Sequence, residues 1–326
     1  MGNSLATPAS RTGRRPVAAL ALLLLLSGCG ADAGAAHRPA EGLLILTTGD
    51  PTGLDVLAAK KDSEDPIAIG LPLPDEEAAW ISAGKDGVLL GTTKIGHLVT
   101  SDPVDPRGAA ADLAGLAWEP VEAASDAGAL PTPAWFATWD PGGARFAAIA
   151  GDLYGGGEMD LLVVEPGKHQ LTTIPLKRRL RAVAPVWLDA DRIVLSTGTA
   201  AVPFSIVVDT ASGKIAKGRP GVRRIATSGD GSVIATTAGP GEPIVLRSSK
   251  GWLADDGTSI GSVDVPNGFT DAISLALDEY GRRLAIVWLG ADGTPRYDVH
   301  DGADGWRRVW SQPMTGTTTA EVAWLR

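Results

Sequence analysis

Short runs of apolar residues alternate with turn-forming residues along most of the chain. An apolar stretch, often with a tryptophan, precedes a tight turn of Asp, Gly, Pro or Ser, and a second apolar stretch follows the turn. Complete copies of this pattern occupy residues 80–91, 135–151, 186–196, 225–236 and 275–287. Short runs punctuated by turns are typical of many short strands, and no segment has the sustained 3.6-residue periodicity of a long helix. We therefore predict an all-β fold with almost no helix.

The distance between the copies indicates the architecture. Their turns begin at Gly84, Asp140, Asp189, Ser228 and Asp278. The separations, about 40 to 55 residues, are close to the size of a four-stranded propeller blade, roughly 40 to 50 residues. Two clear further hairpins, at Leu161–Ile174 and Ser205–Ile215, would supply third and fourth strands.

The two ends of the folded region look like two parts of one more copy. Glu321–Arg326 resembles a first strand that stops where its turn should begin, and Gly42–Thr48 resembles a second strand without its first. A ring of blades needs such a joint, because an open ring would leave apolar faces unpaired. The sequence thus predicts a six-bladed β-propeller of four-stranded antiparallel blades over residues 42–326. The C-terminal strand would close it by pairing with the N-terminal blade; seven blades, or a β-sandwich, remain as alternatives.

Two of the turns carry a family resemblance. Asp140–Ala147 (DPGGARFA) and Asp278–Ala285 (DEYGRRLA) resemble the Ser-Pro-Asp-Gly-Arg-x-Leu-Ala turn of TolB-like six-bladed propellers, which also occurs in bacterial relatives of tryptophan-aspartate repeat proteins. The resemblance covers residues 42–326, and no copy matches in full. The Asp of that turn is kept only at Asp86 and Asp230. The resemblance implies the same propeller fold.

The N-terminus is typical of an exported protein. A polar stretch with three arginines precedes an apolar run at Val17–Leu26, which is followed by Ser-Gly-Cys-Gly. This is the layout of a secretory signal peptide, and the run is shorter than the roughly 20 residues that span a bilayer. Leu26–Cys29 resembles the lipobox of bacterial lipoproteins, which implies cleavage before Cys29 and lipidation of that cysteine. We predict a signal peptide over residues 1–28 and a lipidated Cys29 with a flexible tether over residues 29–41.

Two alternatives remain open at this end. Cleavage at Ala31–Ala33 would remove Cys29 and release the protein, and Arg14–Arg15 would suit twin-arginine export. The general secretion route fits better, because Pro16 follows the arginine pair. A cysteine that carries two or more acyl chains anchors stably. The predicted location is therefore the extracytoplasmic face of the cell membrane, with the lipid anchor as the membrane contact.

Composition and charge narrow the partners. The formal net charge is −9, which argues against nucleic acid because phosphate binding needs a basic patch. Cys29 is the single cysteine, so no disulfide within the chain is expected. Two basic groups stand out, at residues 177–181 and at Arg223–Arg224. They are either a positive patch for an acidic partner or lipid head groups, or solvated turns.

Motifs for chemistry are weak. Gly257–Gly261 matches Gly-x-Ser-x-Gly, but that motif needs a strand-to-helix turn on an α/β sheet, so we interpret Ser259 as a loop residue. The histidines of the predicted propeller fall in different repeats, at His97, His169 and His300. Acidic turns lack the residue order of a calcium loop. We therefore predict no catalytic residue, no cofactor and no metal site, with adventitious calcium binding left open.

The tryptophans and the missing motifs lead to the functional prediction. Trp252, Trp306 and Trp310 fall in outer hairpins, where packing is favoured over surface contact. The sequence favours a membrane-anchored, non-catalytic β-propeller that binds or scaffolds a protein or cell-envelope component. The alternative is a propeller enzyme of the lactonase, lyase or sugar-oxidising type, with a metal or cofactor in the central channel.

Overall fold

A computed structural model gives the fold of the chain. It describes residues 42–48, 53–57, 67–69, 78–85, 87–93, 95–103, 117–121, 130, 133–152, 157–177, 184–198, 202–254, 257–313 and 319–324. All of them belong to one compact unit, Arg38–Arg326. The predicted signal peptide, Cys29 and the tether lie outside the described residues, so their assignments stay predictions.

The fold is an all-β propeller of four-stranded antiparallel blades, as predicted. Five sheets are each built from four strands that are consecutive along the chain. They are β4 (Ala78–Ala83), β5 (Val88–Thr93), β6 (Leu98–Pro103) and β7 (Trp118–Pro120); β8 (Ala134–Trp139), β9 (Phe146–Ala150), β10 (Asp160–Glu165) and β11 (Gln170–Pro175); β12 (Val186–Trp187), β13 (Arg192–Gly198), β14 (Pro203–Asp209) and β15 (Ile215–Pro220); β16 (Arg224–Thr227), β17 (Val233–Thr237), β18 (Ile244–Ser248) and β19 (Ser259–Val263); and β20 (Phe269–Leu277), β21 (Arg283–Gly290), β22 (Pro295–Asp301) and β23 (Arg307–Pro313).

A further four-stranded sheet combines both ends of the folded region. It contains β1 (Leu43–Thr48), β2 (Gly53–Leu57), β3 (Ile67–Ile69) and β24 (Thr319–Trp324), in the order β24-β1-β2-β3. β24 pairs with β1 in antiparallel register, with Leu43 opposite Trp324 and Thr48 opposite Thr319. Residues separated by most of the chain thus share one ladder of hydrogen bonds.

Helix is limited to single turns in the described part of the chain. Three 3₁₀ turns occur, at Pro166–Lys168, Trp252–Ala254 and Gly302–Asp304, and each lies between the third and fourth strands of a blade. None of the described helical segments has the length and apolarity to cross a bilayer. The near absence of helix agrees with the sequence prediction.

The blades are apolar on both faces. Along β10, Leu161 and Val163 pack in a cluster shared with β13 and β14, whereas Leu162 and Val164 pack in a cluster with residues of β8 and β9. Successive side chains of a strand point to opposite faces of the sheet. The continuous apolar run in the sequence therefore indicates a strand buried from both sides. The outer strand β11 is much more exposed.

One repeated interaction joins a blade to the next. The Asp140 carboxylate accepts hydrogen bonds from the Ala144 and Arg145 amides at 2.9 and 3.1 Å, and from Arg145 Nε at 3.2 Å. The oriented Arg145 guanidinium lies 5.1 Å from the ring centroid of Trp187 in the following blade. Trp187 Nε1 in turn donates to the Thr138 carbonyl at 3.1 Å. Hydrogen bonds and a cation–π contact thus connect the turn of one blade to the inner strand of its neighbour.

The same arrangement recurs where the chain ends meet. The Asp278 carboxylate accepts from the Arg283 amide at 3.1 Å and from Arg283 Nε at 3.0 Å. The Arg283 guanidinium lies 4.3 Å from the ring centroid of Trp324, and Trp324 Nε1 donates to the Ala276 carbonyl at 3.1 Å. The C-terminal strand is therefore joined to the blade of β20–β23 by the interaction that joins two blades within the chain.

Replacing Trp324 by Ala tests this connection. Trp324 is 2% exposed, so Trp324→Ala should lower the free energy of unfolding by about 3–5 kcal/mol, the usual cost of truncating a buried tryptophan. Chemical denaturation followed by circular dichroism measures the change. Arg307, exposed on β23, provides the control, because Arg307→Ala should change stability by less than about 0.5 kcal/mol. A loss below about 1 kcal/mol for Trp324→Ala would contradict the structural role of this residue.

Candidate functional site

One cavity, which we call the axial cavity, is surrounded by β24 and by the first strand of each of the five sheets whose strands are consecutive in sequence. Residues of β4, β8, β12, β16, β20 and β24 line it, and its volume is about 110 Å³. Each of these inner strands pairs with a neighbour on one side only, so its other edge borders the cavity. Free strand edges present backbone N–H and C=O groups. The wall of the axial cavity therefore contains backbone polar groups as well as side chains.

Side chains from neighbouring blades satisfy part of these edges. Trp80 Nε1 donates to the Ala137 carbonyl at 3.1 Å, and Thr138 Oγ1 donates to the Pro185 carbonyl at 2.7 Å. Two other polar atoms of the lining, Ser82 Oγ and Trp139 Nε1, are buried and have no hydrogen-bond partner among the described residues. A buried polar group without a partner costs free energy. Ser82 and Trp139 thus bring two unsatisfied polar atoms to the wall of the axial cavity.

Two of the turns between first and second strands lie in close contact. The Asp230 amide donates to the Glu279 carbonyl of the next blade at 2.8 Å. Gly281 has φ of 62°, and a Cβ atom at this position would lie 2.6 Å from Val233 Cβ, so only glycine permits this approach. Pro141, in another of these turns, contributes to the cavity wall. We call the end of the axial cavity away from these turns the entrance.

Three polar residues mark the entrance side of consecutive inner strands. Arg224, Ser274 and Glu321 each directly precede the stretch of their strand that lines the axial cavity. Ser274 Oγ donates to Glu321 Oε2 at 2.7 Å, and the Val322 amide donates to Ser274 Oγ at 3.3 Å. Together with Arg223 and Asp271 these residues form what we call the polar rim.

The Glu321 carboxyl is the most perturbed acid of the described residues. Desolvation by burial raises its pKa to about 7, and this rise is opposed by the hydrogen bond from Ser274 and by the positive charge of Arg224. The residue as a whole keeps a small exposed area, yet the surroundings of the carboxyl group are protein and determine the pKa. Glu321 therefore changes its charge near neutral pH.

An ion pair completes the polar rim. Arg223 Nη1 lies 2.8 Å from Asp271 Oδ2, and Asp271 is 5% exposed. Asp271 Oδ1 and Arg224 Nε are buried without a hydrogen-bond partner among the described residues. Of the two alternatives for Arg223 and Arg224, the solvated turn is wrong, because both residues are half-buried and Arg223 is paired with Asp271 of the next blade. The other basic group is described only at Lys177, which is exposed.

The structure separates the remaining candidates from the axial cavity. Ser259 begins the outer strand β19 and is exposed, so its loop assignment is wrong, and no strand-to-helix turn surrounds it. His97 and His169 are exposed. His300 is buried in β22, where Nδ1 lies 2.9 Å from the Trp306 carbonyl and desolvation lowers its pKa. The described residues contain no group of three side chains suited to a metal ion.

The outer-hairpin tryptophans pack as predicted. Trp252 is 1% exposed and Trp306 is 8% exposed. The Arg219 guanidinium lies 5.6 Å from the ring centroid of Trp252, and Trp306 Nε1 donates to the Ile260 carbonyl at 3.2 Å. Both rings therefore contribute to blade packing, and Trp310 is half-buried beside the cluster that contains Trp324.

Sequence reasoning did not identify Glu321 or Ser274. Arg224, Ser274 and Glu321 are separated by about one repeat length each, close to the roughly 40–50 residues of a blade. They also hold nearly the same place within their repeats, just before the turn. Comparison of the repeats position by position would have placed the three side chains at the same end of their strands, but it would not have shown their burial.

The charge of Glu321 predicts a pH dependence of stability. Its pKa in the folded protein, about 7, lies above the ordinary value of 4.5, so its contribution to stability is most favourable below pH 4.5 and is lost as the pH rises through 7. Glu321→Gln keeps the shape without the charge. Relative to this variant, the wild type should lose on the order of 1–3 kcal/mol of unfolding free energy between pH 5 and 8.

Urea denaturation at several pH values measures this difference. Glu158 is exposed, so Glu158→Gln serves as the matched control and should follow the wild type at every pH. Parallel curves for the wild type and Glu321→Gln would show that Glu321 does not titrate in this range.

Comparisons with known proteins establish the fold. No protein-family model matches the sequence, and no curated protein matches it. Among solved structures, TolB from Acinetobacter baumannii has a TM-score of 0.61 and 12% identity, covering 90% of this chain and 68% of that one. A chain of the nidogen/laminin complex has a TM-score of 0.56 and 11% identity, covering 86% and 97%. The periplasmic gluconolactonase of Pseudomonas aeruginosa has a TM-score of 0.51 and 16% identity, covering 84% and 83%. The chain shares the β-propeller fold of these proteins.

Proposed function

We propose that this protein is a lipid-anchored, extracytoplasmic binding module: a closed six-bladed propeller whose entrance binds a protein or cell-envelope component without chemistry. The observation that carries the proposal is the asymmetric entrance. Trp80 and Phe136 form an edge-to-face pair, with centroids 5.6 Å apart, on two inner strands. Arg224, Ser274 and Glu321 lie on three others. Apolar area with a few convergent polar groups is typical of a binding site.

The geometry of the sheets supports a closed ring of six. Five sheets use consecutive strands, a further sheet joins β24 to β1, and inner strands from all of them surround one cavity. The contacts of Trp324 with Arg283 and Ala276 supply the joint. A rigid ring holds the groups at its entrance in fixed positions, which lowers the entropy cost of binding.

The proposed lipid anchor is supported by the N-terminal sequence, and the proposed location outside the cytoplasm is supported by a structural neighbour. The apolar run and the following Leu26–Cys29 are typical of a lipoprotein signal. One of the structural neighbours is a periplasmic protein. An exported propeller held by Cys29 would lie within reach of cell-envelope components.

Partitioning in detergent tests the anchor separately from binding. The full chain should enter the detergent phase and fractionate with membranes. The Cys29→Ala variant should be found in the aqueous phase and in the soluble fraction, because it lacks the site of lipidation. Immunoblotting of the fractions measures the shift. Equal membrane association of the two forms would overturn the lipid anchor.

Closing the axial cavity tests the binding role. Ser82→Leu adds bulk to the wall at a residue whose hydroxyl has no partner among the described residues, so a partner that enters the axial cavity should bind at least tenfold more weakly. Lys217, exposed on the outer strand β15, provides the matched control Lys217→Leu. Envelope extracts are passed over the three immobilised proteins, and the retained components are identified and their affinities measured. We expect a component that the wild type and Lys217→Leu retain and that Ser82→Leu binds at least tenfold more weakly.

The unfolding transition of Ser82→Leu should be checked first, because overpacking also destabilises. Retention that is equal for all three folded proteins would place binding elsewhere, and an absence of any retained component would contradict the binding role.

A further inference from the structure

The charges of the polar rim do not balance when Glu321 is protonated. Arg223 is paired with Asp271 at 2.8 Å, which leaves Arg224 with Glu321 as its counter-charge. Arg224 acts on the Glu321 carboxyl, and the Ser274 hydroxyl is the other group that influences it. The polar rim is therefore neutral when Glu321 is ionised and carries one positive charge when Glu321 is protonated.

Apart from the ion-paired Arg223, two atoms of the polar rim lack a hydrogen-bond partner among the described residues: Asp271 Oδ1, an acceptor whose carboxylate is already paired with Arg223, and one donor. Arg224 Nε is buried without a partner among the described residues. A guanidinium presents its N–H groups in a fixed planar fork that matches the two oxygens of a carboxylate. A protonated Glu321 would add an O–H donor, since a neutral carboxyl group has one donor. Arginine and carboxylic acid side by side offer an anion two kinds of hydrogen bond.

The space below the polar rim suits a small apolar group. Leu275 and Val322, which directly follow Ser274 and Glu321, line the axial cavity, as does Trp80. The cavity volume of about 110 Å³ admits only a small group. The single positive charge of the polar rim is neutralised by a monoanion, whereas a doubly charged phosphate would leave a net negative charge. A buried site favours the ligand that neutralises its charge.

We propose that the polar rim binds the carboxylate of a small organic acid, with Arg224 as the charged anchor and the protonated carboxyl of Glu321 as a second donor. The proposal rests on the binding role proposed above and names its ligand chemistry. The carboxylate would face Arg224, and the short hydrocarbon part would enter the axial cavity. Binding would be accompanied by uptake of a proton at Glu321, because the ligand's negative charge disfavours an ionised carboxylate beside it. A free acid and the C-terminal carboxylate of a peptide share this chemistry.

Titration calorimetry with valerate tests the proposal on the purified full-length protein in detergent. Valerate should bind, and the neutral valeramide should bind at least tenfold more weakly, because it lacks the charge that pairs with Arg224. Above pH 7 the affinity of the wild type should fall about tenfold per pH unit, as expected for one linked proton. The observed heat should vary linearly with the ionisation enthalpy of the buffer, and the slope should equal the number of protons taken up on binding.

Variants assign the effect to the polar rim. Arg224→Gln should weaken valerate binding at least tenfold, whereas Lys217→Gln, which removes one positive charge from an exposed outer strand, should leave it unchanged. Glu321→Gln keeps a donor without a titrating group, so it should remove both the pH dependence above pH 7 and the buffer dependence of the heat. No valerate binding, equal binding of valeramide, or an unchanged pH dependence in Glu321→Gln would overturn the proposal.

A second pair of probes distinguishes the source of the carboxylate. N-acetyl-glycyl-valine and its C-terminal amide carry the same backbone and differ in the terminal charge. Tighter binding of the free peptide acid than of valerate would identify a peptide terminus as the source, and the reverse would identify a free acid; both outcomes keep the shared chemistry. Valerate binding without any retained envelope component would contradict the proposed function alone, and a retained component without valerate binding would contradict this inference alone.

Discussion

Each blade of this protein is apolar on both faces, and this constraint determines the rest of the architecture. Leu161 and Val163 of β10 pack toward one neighbouring blade, and Leu162 and Val164 pack toward the other side. A sheet of this kind buries both faces only with a neighbour on each side. The first and last parts of the folded region share one sheet, in which β24 pairs with β1. Trp324, held by Arg283 and Ala276, fixes that meeting point.

The arrangement of the blades also produces the axial cavity. Inner strands that pair on one side only leave a free edge toward the axial cavity, and side chains such as Trp80 and Thr138 donate to carbonyl groups of neighbouring blades. The remaining unpartnered atoms, Ser82 Oγ and Trp139 Nε1, are polar groups inside an apolar wall. A fold stabilised by apolar packing between blades thus contains a small central space with specific polar positions.

Burial gives the entrance its chemistry. Glu321 and Arg224 are ordinary charged residues in the sequence, and each would be fully ionised in water at neutral pH. In the folded protein, desolvation raises the pKa of Glu321 to about 7, while Arg223 is paired with Asp271. Closely spaced charges in surroundings of low polarity interact more strongly than on the surface. The polar rim therefore changes its net charge over a narrow and physiologically relevant range of pH.

The sequence by itself determined the strand-and-turn repeat, the propeller of four-stranded antiparallel blades and the packing of Trp252 and Trp306, because these depend on local patterns of apolar and turn residues. It also contained the repeat spacing that relates Arg224, Ser274 and Glu321. Only the tertiary structure decided that Arg223 and Arg224 turn inward, that Ser259 lies on an outer strand and that Glu321 is buried beside Ser274. These properties depend on contacts between residues about 50 positions apart, and desolvation is a property of the assembled surroundings that no local pattern encodes.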